Sequence, residues 1–144
     1  MLLDVALLGF GNVGRALGAL LLRKASDLQA EHDLTVRVVG ISTAHHGCAI
    51  DPAGLDVRAA LEAVQAGRSL DDLHKGHAPA DTVEFLAACP AALFFESTYT
   101  NPHDGEPALT YVHMALKKGA HVVSANKGPV AFGYRELSAL AQEK

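Results

Sequence analysis

A glycine pattern, Gly9-Phe10-Gly11-Asn12-Val13-Gly14, sits where the hydrophobic period of the chain changes. Before it, Val5–Leu8 is a short continuous apolar run, as expected of a strand covered on both faces. After it, Val13, Ala16, Leu17, Leu20, Leu21 and Leu28 recur at three- and four-residue steps, which predicts one apolar face of a helix ending near Gln29. With 13 glycines in the chain the pattern alone is weak. Its place between a strand and a helix gives each glycine a task. Gly9 permits the tight turn, Gly11 lets a pyrophosphate approach the backbone, and Gly14 lets the helix lie close to the strand. The free amides of the first helical turn and the positive end of its dipole then suit phosphate. Gly18 costs about 1 kcal/mol in a helix interior relative to Ala, so it too predicts close packing. The alternative is a strand–turn–helix that holds no ligand.

The same period arithmetic organises the rest. Thr35–Ser42 is β-branched and predicts a second strand. Residues 43–56 predict a loop with a small extra strand at Cys48–Ile50. Asp56 caps a predicted helix over Val57–Ala66, closed by Gly67, and a short helix follows Ser69. Asp81–Cys89 predicts a helix stopped by Pro90, and Ala91–Glu96 a third principal strand. Thr98–Gly105 is a polar loop. Pro107–Lys118 predicts a helix with Gly119 as its stop, His121–Ala125 a fourth strand, and Gly133–Lys144 a last helix. Strands alternating with helices imply an α/β, Rossmann-type doubly wound fold: a mainly parallel sheet with helices on both faces. Its 144 residues fit one domain, residues 1–144, able to bury roughly 70% of its unfolded surface.

Composition excludes several classes. Twelve basic against 16 acidic side chains give a net charge of −4, which argues against nucleic acid as a partner. No apolar run approaches a membrane span, and Met1-Leu2-Leu3-Asp4 has neither a basic leader nor a cleavage pattern. Two cysteines, Cys48 and Cys89, make no disulfide framework, so a reduced, cytoplasmic setting is expected, with Cys89 a small core residue. Eight histidines lack metal-ligand spacing, so no metal site is expected.

Ligands of open parallel sheets bind outside the carboxyl ends of the strands, so three further segments come into question. Where dinucleotide folds carry an acidic residue for the adenosine ribose, this chain reads Ser42-Thr43-Ala44-His45-His46. Ser42 or Thr43 suits a ribose hydroxyl. The cofactor is left as NADP or NAD, and the lack of a carboxylate to repel an extra phosphate favours NADP. Glu96 directly follows an apolar run and, if buried, needs donors such as backbone amides. Ser97 and Thr98 are placed to contact the nicotinamide ribose. Past the last strand, Ser124, Asn126 and Lys127 face the same end, and Lys127 suits a proton shuttle or an anchor for a substrate oxygen. Spacing alone favours an ordinary loop lysine.

Together GFGNVGR, GCAIDPAGLD and ESTYTNPHDGEPALTYVHMALKKGAHVVSANKGPVAF resemble the nucleotide-binding half of homoserine dehydrogenase, over essentially the whole chain. The most specific part is HVVSANKGPVA. The resemblance implies NAD(P)-dependent interconversion of L-homoserine and L-aspartate 4-semialdehyde, on the route to threonine, isoleucine and methionine, with hydride moving between nicotinamide and the substrate's terminal carbon. It implies that Gly9 to Gly14 hold the pyrophosphate, that Thr98 and Ser124 lie near the nicotinamide, and that Lys127 stands at the cofactor–substrate junction. It further implies a small-molecule substrate bound by a following domain, absent from this chain, that also carries most contacts of a homodimer. The fragment alone is then expected to be inactive. Two alternatives stay open: the cofactor half of another amino-acid or aldehyde dehydrogenase, and a non-catalytic dinucleotide-sensing module.

Overall fold

Alternation along the first strand sets up two apolar layers. Val5 and Leu7 pack into one buried cluster with Val57 and Ala60; Ala6 and Leu8 pack into another with Phe85 and Phe94. The computed structural model describes residues 1–143. In chain order they form β1 (Leu2–Leu8), α1 (Asn12–His32), β2 (Thr35–Ser42), β3 (Cys48–Ile50) and α2 (Val57–Gln65). A 3-10 turn (Asp71–Leu73) follows, then α3 (Thr82–Ala88), β4 (Leu93–Glu96), α4 (Ala108–Lys117), β5 (His121–Ser124) and α5 (Lys127–Glu143). The sheet order is β3-β2-β1-β4-β5, parallel except for β3, which runs against β2. This is the α/β doubly wound arrangement expected from the sequence. The chain winds outward from β1 to β2 in one direction and from β4 to β5 in the other. The point where the winding reverses therefore lies between the carboxyl ends of β1 and β4, where Leu8 pairs with Glu96.

Several boundaries differ from expectation for physical reasons. The first strand starts at Leu2 because Asp4, a poor strand former, is matched in register by Arg37 of β2. Arg37 Nε and Nη2 donate to the two Asp4 oxygens at 2.6 and 2.9 Å. That bidentate bond holds the Asp4 carboxyl below its ordinary range. The last helix begins at Lys127 rather than Gly133. Asn126 Oδ1 accepts from Gly128 N at 3.0 Å and caps the first turn, where Pro129 is tolerated. The expected end of that helix, Lys144, lies outside the described residues. The period of α1 predicts its core face only in part: Leu17 and Leu21 do pack, half-buried, against the cluster of Val5, Leu7 and Val57. Gly14 and Gly18 are the helix's buried residues, whereas Val13, Ala16 and Leu20 are exposed. A Cβ on Gly18 would lie 3.2 Å from Val57 and 3.4 Å from Phe10, so the helix approaches closest along its glycine line, with Leu17 and Leu21 half-buried beside it.

Lys118, the C-cap of α4, crosses to the end of α3. Its Nζ donates to the carbonyls of Leu86 and Ala87 at 3.0 Å and of Cys89 at 2.5 Å. Those carbonyls have no partners inside their own helix, and the cation sits at the negative end of its dipole. Burial lowers the Lys118 pKa, and burial pushes the Cys89 thiol up to about 11. Replacing Lys118 by Met should cost about 1–2 kcal/mol in urea unfolding; an unchanged midpoint would show that the cap contributes nothing. Its raised pKa and its burial leave Cys89 as an unreactive thiol at pH 8. Iodoacetamide should therefore leave Cys89 unmodified in the native chain and alkylate it in urea, as read by mass spectrometry of its peptide.

Candidate functional site

The loop after β1 is wedged against the loop after β4. Gly9 has φ +95°, and a Cβ there would fall 2.7–2.8 Å from the backbone of Ser97 and Thr98. Gly9 N donates to Ser42 O at 3.0 Å, Ser97 N to Leu8 O at 2.8 Å, and Ser97 Oγ to Gly9 O at 3.1 Å. A Cβ on Gly14 would stand 2.1 Å from Gly9 O. One residue type is thus permitted at each of these two positions, as their sequence roles required.

Gly11 is different: nothing lies within 4 Å of the place a Cβ would take. It is the N-cap of α1, no side chain caps the helix, and no acidic residue sits in the first turn. The opening amides of α1 are therefore left without an acceptor from a capping side chain. A cleft of about 250 Å³ adjoins them, lined among others by Gly9, Gly11, Thr43, Thr98, Tyr99 and Tyr111. Free N–H groups, a 21-residue helix dipole and room at the glycine fit a bound diphosphate.

The other expected residues divide by what their side chains already do. Phe10 is buried in the α1–α2 cluster and offers only its backbone. Asn12 is exposed, with its Oδ1 taken by Arg15 Nη2 at 2.9 Å. Val13 lines a second, apolar cleft of about 270 Å³ with Leu17, Phe95, Ser97, Val123 and Ser124. Thr43 lines the first cleft, but its hydroxyl donates to Gly47 O at 2.8 Å and accepts from His46 N at 2.7 Å. One lone pair remains, so toward a ligand Thr43 acts as an acceptor. Ser42 Oγ is buried between Cys48 Sγ and Thr82 Oγ1, each at 3.3 Å.

At the far side, Glu96 is 1% exposed and accepts three bonds. Thr98 N and Oγ1 donate to its Oε1 at 2.7 and 2.6 Å, and Ser124 Oγ to Oε2 at 2.5 Å. The donors expected for a buried Glu96 are therefore present, one of them a backbone amide. Asn126, also buried, donates through Nδ2 to Thr98 O and Tyr99 O at 3.3 and 3.1 Å. Both its amide ends are engaged within the protein, so it ties the β4 loop to the start of α5. Lys127 opens α5 with an exposed side chain and is not among the residues lining either cleft. Thr82, Tyr99 and Tyr111 line the first cleft and were not expected from the sequence. Among the described residues no group of three His, Cys, Asp or Glu side chains converges on a metal position, and no helix is long and apolar enough to cross a membrane.

A NAD(+)-dependent homoserine dehydrogenase of Pseudomonas canavaninivorans is 36% identical over 138 residues, 96% of this chain and 39% of that protein. The homoserine dehydrogenase of Methanocaldococcus jannaschii is 31% identical over 135 residues, 94% of this chain and 40% of that protein. This chain is a homologue of the homoserine dehydrogenases. It spans 39–40% of the length of these homoserine dehydrogenase relatives. No family model matches it. A hyperthermophilic archaeal homoserine dehydrogenase in complex with NADPH superposes with TM-score 0.80 at 24% identity, over 99% of this chain and 41% of that one. The homoserine dehydrogenase of Thermoplasma acidophilum superposes with TM-score 0.73 at 22% identity, again over 99% and 41%. These likenesses establish the fold shared with homoserine dehydrogenases.

The two helix-side glycines make opposite predictions. Gly14→Ala should cost about 3 kcal/mol or more, since its methyl meets a fixed carbonyl. Gly11→Ala should change stability by no more than about 1 kcal/mol. Equal thermal shifts for the two variants would contradict this packing.

Proposed function

We propose that residues 1–144 form the NAD(P)-binding domain of a homoserine dehydrogenase. The whole enzyme interconverts L-homoserine and L-aspartate 4-semialdehyde in the biosynthesis of threonine, methionine and isoleucine. The observation that carries this is the uncapped start of α1 beside an open glycine, set at the reversal point of a parallel sheet. Homology to homoserine dehydrogenases narrows a general dinucleotide site to this reaction.

In this proposal the amides of Gly11 to Gly14 hold the pyrophosphate, and Phe10 contributes only backbone. Thr43 accepts from a ribose hydroxyl at the adenosine end. Ser97, Thr98 and Ser124 border the nicotinamide, and Asn126 keeps the Thr98–Tyr99 backbone in place. Bound nicotinamide supplies the redox chemistry of the alcohol carbon. Lys127 holds or releases the proton of the substrate oxygen, and substrate is completed by a part of the enzyme outside this domain. The adenosine end of the cleft, at Ser42, Thr43 and Ala44, presents no carboxylate and no arginine, so the domain accepts NADP or NAD. A homodimer in the cytoplasm, without nucleic-acid or membrane partners, completes the proposal.

Fluorescence titration should show saturable binding of both NADH and NADPH to the chain. Gly11→Ala should weaken each by about tenfold or more while leaving unfolding nearly unchanged. In a full-length homoserine dehydrogenase carrying this domain, Lys127→Ala should lower kcat by about 10²-fold or more. Binding untouched by Gly11→Ala, or a Lys127→Ala enzyme of normal rate, would refute the corresponding role.

A further inference from the structure

Glu96 is the one buried charged side chain among the described residues, and everything around it donates. Its three partners are the Thr98 amide, the Thr98 hydroxyl and the Ser124 hydroxyl. A carboxylate has no proton to return, and a hydroxyl has one proton and two lone pairs. Both hydroxyl protons are therefore drawn inward onto Glu96. Ser124 Oγ also lies 3.3 Å from Asn126 O, a longer second acceptor than Glu96 at 2.5 Å, and spends one lone pair on Asn126 N at 3.0 Å; among the described residues Thr98 Oγ1 has no other partner. Outward, Thr98 Oγ1 shows two lone pairs and Ser124 Oγ one, and neither shows a proton. They stand at neighbouring strand ends, since Glu96 and Ser124 are register partners across β4 and β5. Ser97 belongs to both clefts, Thr98 to the first and Ser124 to the second, so this pair borders the ground between them.

We infer that Glu96 sets the hydrogen-bond polarity of this end of the site and makes it specific for a ligand group that donates N–H. A carboxamide meets that demand. A carboxylate of the same shape does not: it brings only acceptors against two acceptors, with a buried negative charge behind them. Glu96 is thus a positioning residue that acts through Thr98 and Ser124. It lets the domain tell a nicotinamide dinucleotide from the nicotinic acid dinucleotide, which differs only in carrying an acid in place of the amide. This inference rests on the proposed dinucleotide site.

The test measures binding of three probes to the 144-residue chain by calorimetry: NAD, nicotinic acid adenine dinucleotide, and ADP-ribose, which both dinucleotides contain. Wild-type chain should bind NAD at least about tenfold more tightly than the acid analogue. Glu96→Gln should shrink that ratio to about threefold or less. Its amide and Asn126 N then take both lone pairs of Ser124 Oγ, so the hydroxyl no longer accepts from the ligand, and its proton turns to the ligand or to Asn126 O, 3.3 Å away. A purely structural Glu96 would weaken both dinucleotides alike and leave their ratio where it was. Should Glu96→Gln fail to fold, Ser124→Ala, which leaves Glu96 both Thr98 donors, should likewise shrink the ratio by removing one acceptor. Equal affinity of wild-type chain for the two dinucleotides, or a ratio unmoved in the folded variant, overturns the inference. If ADP-ribose binds in that case, the dinucleotide reading survives; if no probe binds, both fall.

Discussion

The contact on which the site depends is the close approach of two backbones at the reversal point of the sheet. Gly9 lies against Ser97 and Thr98 with no room for a methyl group, and Gly14 lies against Gly9 in the same way. This approach brings the start of α1 level with the strand ends of β1 and β4. It also leaves Gly11, between the two crowded glycines, facing open space. Crowding inside and vacancy outside are two results of one geometry: the loop must turn back on itself to let the helix lie flat on the sheet. A phosphate site at a helix start needs that vacancy, because its donors are backbone amides that a side chain would shield.

Charge is used sparingly around this frame. The ionic groups at the interior act as ties between elements. Arg37 on Asp4 fastens β2 to β1 at the end of the sheet away from the cleft. Lys118 fastens α4 to the end of α3. Glu96 fastens the β4 loop to β5 at the cleft itself. Of these, only Glu96 is sealed from water, and it is satisfied wholly by neutral donors. A charge held by dipoles orients the hydroxyl protons that bind it, which is the physical basis for assigning Glu96 a part in what the ligand must offer.

Much of this was legible in the sequence where the signal is local. The glycine loop, the β-branched second strand and the cap at Asp56 each depend on residues a few positions apart, and Asp56 does accept from the amide of Ala59; Asp81, expected as the first residue of its helix, instead caps it by accepting from Glu84 N. The burial of Glu96 was legible because a charge ended an apolar run, and its Thr98 donors lie two residues away. Its Ser124 partner lies 28 residues on, beyond any periodic signal. Tyr99, Tyr111 and Thr82 reach the cleft for the same long-range reason. Two local signals misled. Lys127-Gly128-Pro129 resembles a loop by propensity, yet Asn126 caps it into a helix. The leucine period of α1 located the buried face only in part: Leu17 and Leu21 pack against the core, Leu20 is exposed, and the closest approach falls to Gly14 and Gly18.

The central claim is that the opening amides of α1 grip a pyrophosphate. Backbone amide NMR of the ¹⁵N-labelled chain during titration with ADP-ribose tests this most directly. The account predicts that the largest shift changes fall on Gly11, Asn12, Val13 and Gly14, saturating together with the Thr98 amide. Saturable binding that leaves those four amides unmoved and perturbs another surface would contradict it.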